Sequence, residues 1–149
     1  MKSAHEGRTR HEHRTARQES QRPLRDAILR TLETLARKGA EPVMSAQSLF
    51  EMWAVMTRPA EATGWGFTPA QALAQTQETL ERLAVLPDPP DLVPRWLYLC
   101  TRYEVKGRAA YDARLAAFAV GHGIRDLVTL NEADFRRYDE NCCIVPGVG

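Results

Sequence analysis

The first twenty-two residues, MKSAHEGRTRHEHRTARQESQR, offer only Met1, Ala4 and Ala16 as apolar side chains. Such a segment cannot bury enough surface to offset the entropy of ordering its own backbone, so any core must be built from residue 23 onward. Its six Lys or Arg, three Glu and three His make a mildly basic arm able to touch phosphates, but it holds no Phe, Tyr or Trp on which a base could stack. The expectation is a solvated tail over residues 1–22 and one domain over residues 23–149.

From Leu24 the pattern becomes periodic. Leu24, Ile28, Leu32 and Leu35 recur at helical spacing, and Gly39 follows as a stop. A short run through Val43 and Met44 leads to Ser45, a good cap, and to a second helix carrying Leu49, Phe50, Trp53 and Met56. Trp65 lies between two glycines in a loop. Thr68-Pro-Ala-Gln71 is a capping box opening a third helix with Leu73, Leu80 and Leu83. Ala84-Val-Leu-Pro87 is a brief extended piece, and Asp88-Pro-Pro-Asp91 starts a fourth helix with Leu92, Trp96, Leu97, Cys100 and Tyr103. A fifth helix runs from about Ala109 to Val120 and ends at Gly121-His-Gly123, His122 being a helix-end residue. Leu127-Val-Thr-Leu130 is the clearest strand, Asn131 to Tyr138 a helical turn, and Cys143-Ile-Val-Pro146 a last short strand.

Helices alternating with brief apolar strands predict an α/β domain in which helices flank a short parallel sheet. The chain of 149 residues is long enough for one core. With 20 Lys and Arg against 19 Asp and Glu, global charge does not argue for a nucleic-acid or membrane-surface partner. No apolar run approaches the roughly 20 residues of a membrane-spanning helix, so a cytoplasmic protein is expected. The cysteines, Cys100, Cys142 and Cys143, are odd in number and lack metal-ligand spacing, which argues against a disulfide framework and a zinc site.

Three acids stand in apolar or small-residue stretches where an unpaired carboxylate is costly: Glu51, Asp112 and Asp134. Glu51 interrupts the stripe of the second helix. Asp112 opens a helix of small residues able to pack closely on a sheet. Asp134 follows the end of the clearest strand, where open parallel sheets place their ligands. Taken singly, each is more commonly a cap or an ion-pair partner.

As a set they carry a resemblance. Ser45-Ala-Gln-Ser-Leu-Phe-Glu-Met-Trp53 with Thr57-Arg-Pro59, Leu83-Ala-Val-Leu-Pro-Asp88, Tyr111-Asp-Ala-Arg-Leu-Ala-Ala117 and Leu127-Val-Thr-Leu-Asn-Glu-Ala-Asp-Phe135 resemble, in order and spacing, the PIN-domain family and its VapC-type toxin nucleases. The resemblance implies a three-layer α/β/α fold with a short parallel sheet, whose carboxylates hold Mg²⁺ or Mn²⁺ for hydrolysis of RNA. Hard divalent cations take oxygen ligands, so the residue types suit that chemistry. Carried over position by position, it implies catalytic and metal-binding roles for Glu51, Asp112 and Asn131. It also implies a supporting metal ligand in Asp134, and in Arg114 a cation for RNA phosphate, or else the partner of an acidic neighbour. The partners it implies are RNA, a cognate antitoxin protein and a second copy of the chain.

One family feature has no counterpart here. Members begin with a buried strand ending in a metal-binding Asp, yet no Asp precedes Asp26. In the family's strand order that strand lies between those near Val43 and Leu127, so the fold is expected to be incomplete at its N-terminus. Each buried backbone group left unpaired by its loss costs roughly 1 to 3 kcal/mol, against a total stability of about 5 to 15 kcal/mol. Three readings stay open: the nuclease activity survives; the chain is an inactive remnant that binds a partner protein or RNA; or the opening segment is an upstream stretch read in the wrong frame.

Overall fold

The computed structural model describes residues 26–147, so the predicted arm over residues 1–22 lies outside the described residues. Helix α1 covers 26–37 in them and stops at Gly39, whose φ of +85° suits a residue without Cβ. Strand β1, Val43–Ser45, leads directly into α2, Ala46–Thr57. The chain then turns tightly at Gly64, where a Cβ would overlap the Arg58 carbonyl. Helix α3, Pro69–Arg82, opens with the expected capping box: Thr68 Oγ1 accepts from the Gln71 N–H at 3.2 Å, and Gln71 Oε1 accepts from the Thr68 N–H at 2.9 Å. Such reciprocal capping satisfies two N–H groups that the helix itself cannot.

Strand β2, Ala84–Leu86, is followed by α4, Leu92–Arg102, and α5, Ala109–Gly121. His122 is the C-cap of α5, as the sequence predicts. Strand β3, Asp126–Val128, the four-residue helix α6, Glu132–Phe135, and strand β4, Cys142–Ile144, complete the described chain. The strands form two pairs, β1 with β2 and β3 with β4; the second pair is parallel, with Leu127 opposite Cys143. The expected mixture of helices with short parallel pairing is therefore present, its strands divided between two sheets. Among the described residues no helix is long and apolar enough to cross a membrane.

The chain divides into two compact units, one running to Met44 and continuing over Ser48–Ala84, the other made of Ser45–Gln47 and Val85–Gly147. In the first, α1, α2 and α3 surround an apolar cavity of about 400 Å³, lined among others by Ile28, Leu32, Met44, Met52, Met56 and Trp65. The second holds the larger core, where Leu92 and Leu99 of α4 meet Ala113, Ala116, Ala117 and Phe118 of α5, with Phe135 and Tyr138. Small side chains on α5 let its backbone come close to its neighbours, and burial of these apolar groups contributes roughly 25 cal/mol per Å² removed from water.

Candidate functional site

Asp112 sits in the first turn of α5, half-buried, where the unpaired N–H groups and partial positive charge of a helix N-terminus favour an acid. That turn is fixed to α4, because the Trp96 indole Nε1–H donates to the Ala110 carbonyl at 2.8 Å. Two residues beyond Asp112, Arg114 donates from Nη2 to Asp88 Oδ2 at 2.7 Å and from Nη1 to Gln47 Oε1 at 2.9 Å. Gln47 Nε2 donates in turn to the Tyr111 carbonyl at 3.0 Å. The acidic neighbour of Arg114 is thus Asp88. Gln47 was not legible as part of the arrangement, since its partner lies 67 residues away and no local spacing signals it.

The chain reverses at Gly123, φ +66°, and enters β3, whose Leu127 packs against the core to which α5 contributes. Asn131 lies three residues beyond the end of β3, at the N-cap of α6. Asn131 and Asp134 are exposed at the two sides of the turn that starts α6, where the Asp134 N–H donates to the Asn131 carbonyl at 3.0 Å. The Asn131 N–H donates to Thr129 Oγ1, also at 3.0 Å. Helix α6 packs on α5. Tyr138, just beyond it, lies in the field of Asp112. Burial above all holds the Tyr138 phenol above its ordinary range; Arg137 opposes the shift, while Cys100, Asp112 and Tyr103 add to it.

Tyr138 is 1% exposed, and among the described residues its hydroxyl has no hydrogen-bond partner; both polar side-chain atoms of Asn141 are likewise buried and without a partner among them. Nothing in the spacing of the sequence marks these two residues. Tyr103 stacks edge-on against Tyr138 with ring centroids 5.2 Å apart, donates its hydroxyl proton to Glu140 Oε2 at 2.9 Å and accepts from the Asp139 N–H at 3.2 Å. Burial, more than its hydrogen bond to Glu140, raises the Tyr103 phenol, and the Asp139 N–H opposes the shift.

Of the expected site residues, Asp112, Asn131 and Asp134 belong to the second unit, Asp112 at the N-terminal end of α5 and the other two at the start of α6. Arg114 shares that end of the helix but is engaged by Asp88 and Gln47. Glu51 belongs to the first unit, on α2, and is exposed beside Phe50, itself 69% exposed. Its sequence neighbourhood suggested a core-facing stripe, but Met56 is the buried residue of that helix, so the apolar residues around Glu51 do not enclose it. Among the described residues no three of His, Cys, Asp and Glu stand together as a metal site. The donors that the second unit offers, the Asp112 and Asp134 carboxylates and the Asn131 amide oxygen, are all oxygen. That chemistry fits a hard cation of the Mg²⁺ kind, which typically takes one or two carboxylates and completes its shell with waters and substrate phosphate.

The model of the PIN domain matches residues 16–141. Among solved structures, the chain is similar to VapBC2 from Rickettsia felis, bound to a DNA fragment from their promoter. The TM-score is 0.63 at 21% sequence identity, covering 80% of this chain and 85% of that one. No curated protein matches it.

Proposed function

From the premise that the chain belongs to the PIN domain family, we propose that it is a metal-dependent endoribonuclease of the toxin–antitoxin type. The observation that carries this reading is the position of Asp112, half-buried in the first turn of α5, a helix that packs on α6, where Asn131 and Asp134 stand. Mg²⁺ or Mn²⁺, when bound, supplies activation of water and offsets the charge that builds on the phosphate being cleaved. Asp112, Asn131 and, in the register of the family, Glu51 would hold it, with Asp134 in support.

The chain's own residues do the remaining work. The N-terminal turn of α5 favours negative charge through its free N–H groups, whether that charge is the Asp112 carboxylate or an approaching phosphate. Arg114 keeps further N–H donors beyond the two engaged by Asp88 and Gln47, and these serve the RNA backbone. The apolar cavity among α1, α2 and α3, with methionines able to repack around different shapes, suits the apolar segment of an antitoxin. VapBC2 is the solved relative that motivates such a partner.

The test is RNA cleavage in millimolar Mg²⁺ or Mn²⁺. Asp112→Ala is expected to lose more than the 10- to 100-fold that removing a group behind the ligands typically costs. Cleavage undiminished by that substitution would overturn the reading. The second reading, an inactive member that only binds, is favoured by the lack of a three-acid group among the described residues. A wild-type chain that neither cleaves RNA nor melts higher in millimolar Mn²⁺ would establish it.

A further inference from the structure

We propose that Gln47 is a positioning residue for Asp112: its amide couples the Arg114 guanidinium to the Tyr111 carbonyl and so sets the direction in which the Asp112 carboxylate is presented. This rests on the nuclease reading above and gives a part in it to a residue that acts through its neighbours rather than on RNA or metal.

Gln47 Oε1 accepts from Arg114 Nη1 at 2.9 Å, and Gln47 Nε2 donates to the Tyr111 carbonyl at 3.0 Å. A guanidinium can only donate and a carbonyl can only accept, so the amide fits in one orientation. A Glu there would set an oxygen against the carbonyl oxygen, a Lys would set an ammonium against the guanidinium, and Asn is a methylene shorter. Gln47, Asp88, Tyr111 and Arg114 all belong to the second unit, although Gln47 lies 64 residues before Tyr111.

The other end of the clamp is fixed as well. Arg114 Nη2 donates to Asp88 Oδ2 at 2.7 Å, so both Nη atoms of the planar fork are engaged. Asp88 stands on a segment fastened elsewhere, because the Pro87 carbonyl lies 2.7 Å from Nε2 of His122 at the far end of α5. The Arg114–Asp88 pair is partly exposed, where an ion pair contributes little to stability; its effect here is on orientation.

The link from the clamp to Asp112 is covalent. The peptide unit that carries the Tyr111 carbonyl also carries the Asp112 N–H, so a bond to that carbonyl restrains the planar unit and the direction of the Asp112 Cβ beyond it. Arg114 follows Asp112 by two residues, so the clamp grips the chain on both sides of the acid. The preceding carbonyl, that of Ala110, takes the Trp96 indole N–H at 2.8 Å. Helix carbonyls ordinarily accept from the N–H four residues on, so side-chain donors on two successive ones restrain this turn beyond what the helix itself requires.

The test is steady-state cleavage of a single-stranded RNA oligonucleotide in Mn²⁺, with Mn²⁺ binding measured separately by calorimetry, on full chains shown to be folded by denaturant titration. Gln47→Met, similar in size but unable to make either bond, is expected to lower kcat about tenfold at unchanged KM and to weaken Mn²⁺ binding by a similar factor, the lower end of what supporting groups typically contribute. Arg114→Met, which also removes a donor to the RNA backbone, is expected to raise KM as well. Gln47→Glu keeps the acceptor for Arg114 and stands in should the Met variant fail to fold; its oxygen facing the Tyr111 carbonyl is expected to lower kcat likewise. Wild-type kcat and Mn²⁺ affinity in either folded Gln47 variant would overturn the proposal, as would a change confined to the unfolding midpoint, the mark of a purely structural role. A parent chain that neither cleaves RNA nor binds Mn²⁺ would instead overturn the nuclease reading, and this inference with it.

Discussion

Helices α2 and α5 are both short and apolar, and they use their apolar residues in opposite ways. On α5 the alanines at 113, 116, 117 and 119 are buried together with Phe118. On α2 the large rings are the exposed ones, Phe50 at 69% and Trp53 at 36%, and Met56 is the residue that is buried. Small side chains allow a helix to approach its neighbours until no water remains; large ones on a helix with fewer neighbours stay at the surface. Two of the three acids expected at the site from sequence divide along the same line, Asp112 on the enclosed helix and Glu51 on the open one.

The largest test of that contrast compares two phenylalanines. Phe118, 3% exposed, stacks near His122 with ring centroids 4.7 Å apart, and truncation of a buried Phe typically costs about 3 to 5 kcal/mol. Phe118→Ala should therefore abolish or nearly abolish cooperative unfolding in a denaturant titration. A loss below about 1 kcal/mol would mean that α5 is not the core element described.

A smaller effect is expected at Tyr138, under the same helix. Its buried hydroxyl lacks a partner among the described residues, so Tyr138→Phe should leave stability at neutral pH unchanged or raise it by up to about 1 kcal/mol. The pH dependence has a definite sign. Because the folded phenol is held above its ordinary value of about 10, its contribution to stability is complete below about pH 10 and is lost as pH rises towards the folded value. Thermal melts carried from about pH 8 to pH 11 should show a shallower alkaline decline in Tyr138→Phe than in the parent chain. Parallel declines would place the alkaline sensitivity elsewhere.

The smallest effect is expected on α2. Phe50→Ser should change stability by no more than about 0.5 kcal/mol, the usual range for a surface position. A loss comparable to that of Phe118→Ala would erase the contrast between the helices.

What could be read from the sequence depends on the range of the interaction. The Thr68–Gln71 capping box, the Gly39 stop, the His122 helix end and the acid in the first turn of α5 are decided within four residues, and all are found as expected. Burial depends on what else is present. Leu73 and Leu80 have the spacing of a core-facing stripe, yet are 49% and 45% exposed, since a stripe is buried only where a partner surface meets it. The ion pair of Arg114 with Asp88 spans 26 residues, and the strands that periodicity located are divided between two sheets, a matter of pairing that local patterns do not encode. For the candidate site, the helical position of Asp112 was legible; the sharing of Arg114 and the groups of Tyr138 and Asn141 that lack a partner among the described residues were not.

The hydrogen bond from Trp96 to Ala110 ties the first turn of α5, which carries Asp112, to α4. The carboxylate of Asp112 takes its bearings from a turn whose second residue is moored to an indole on another helix. The start of α5 thus has an anchor in a neighbouring helix that its own backbone does not supply.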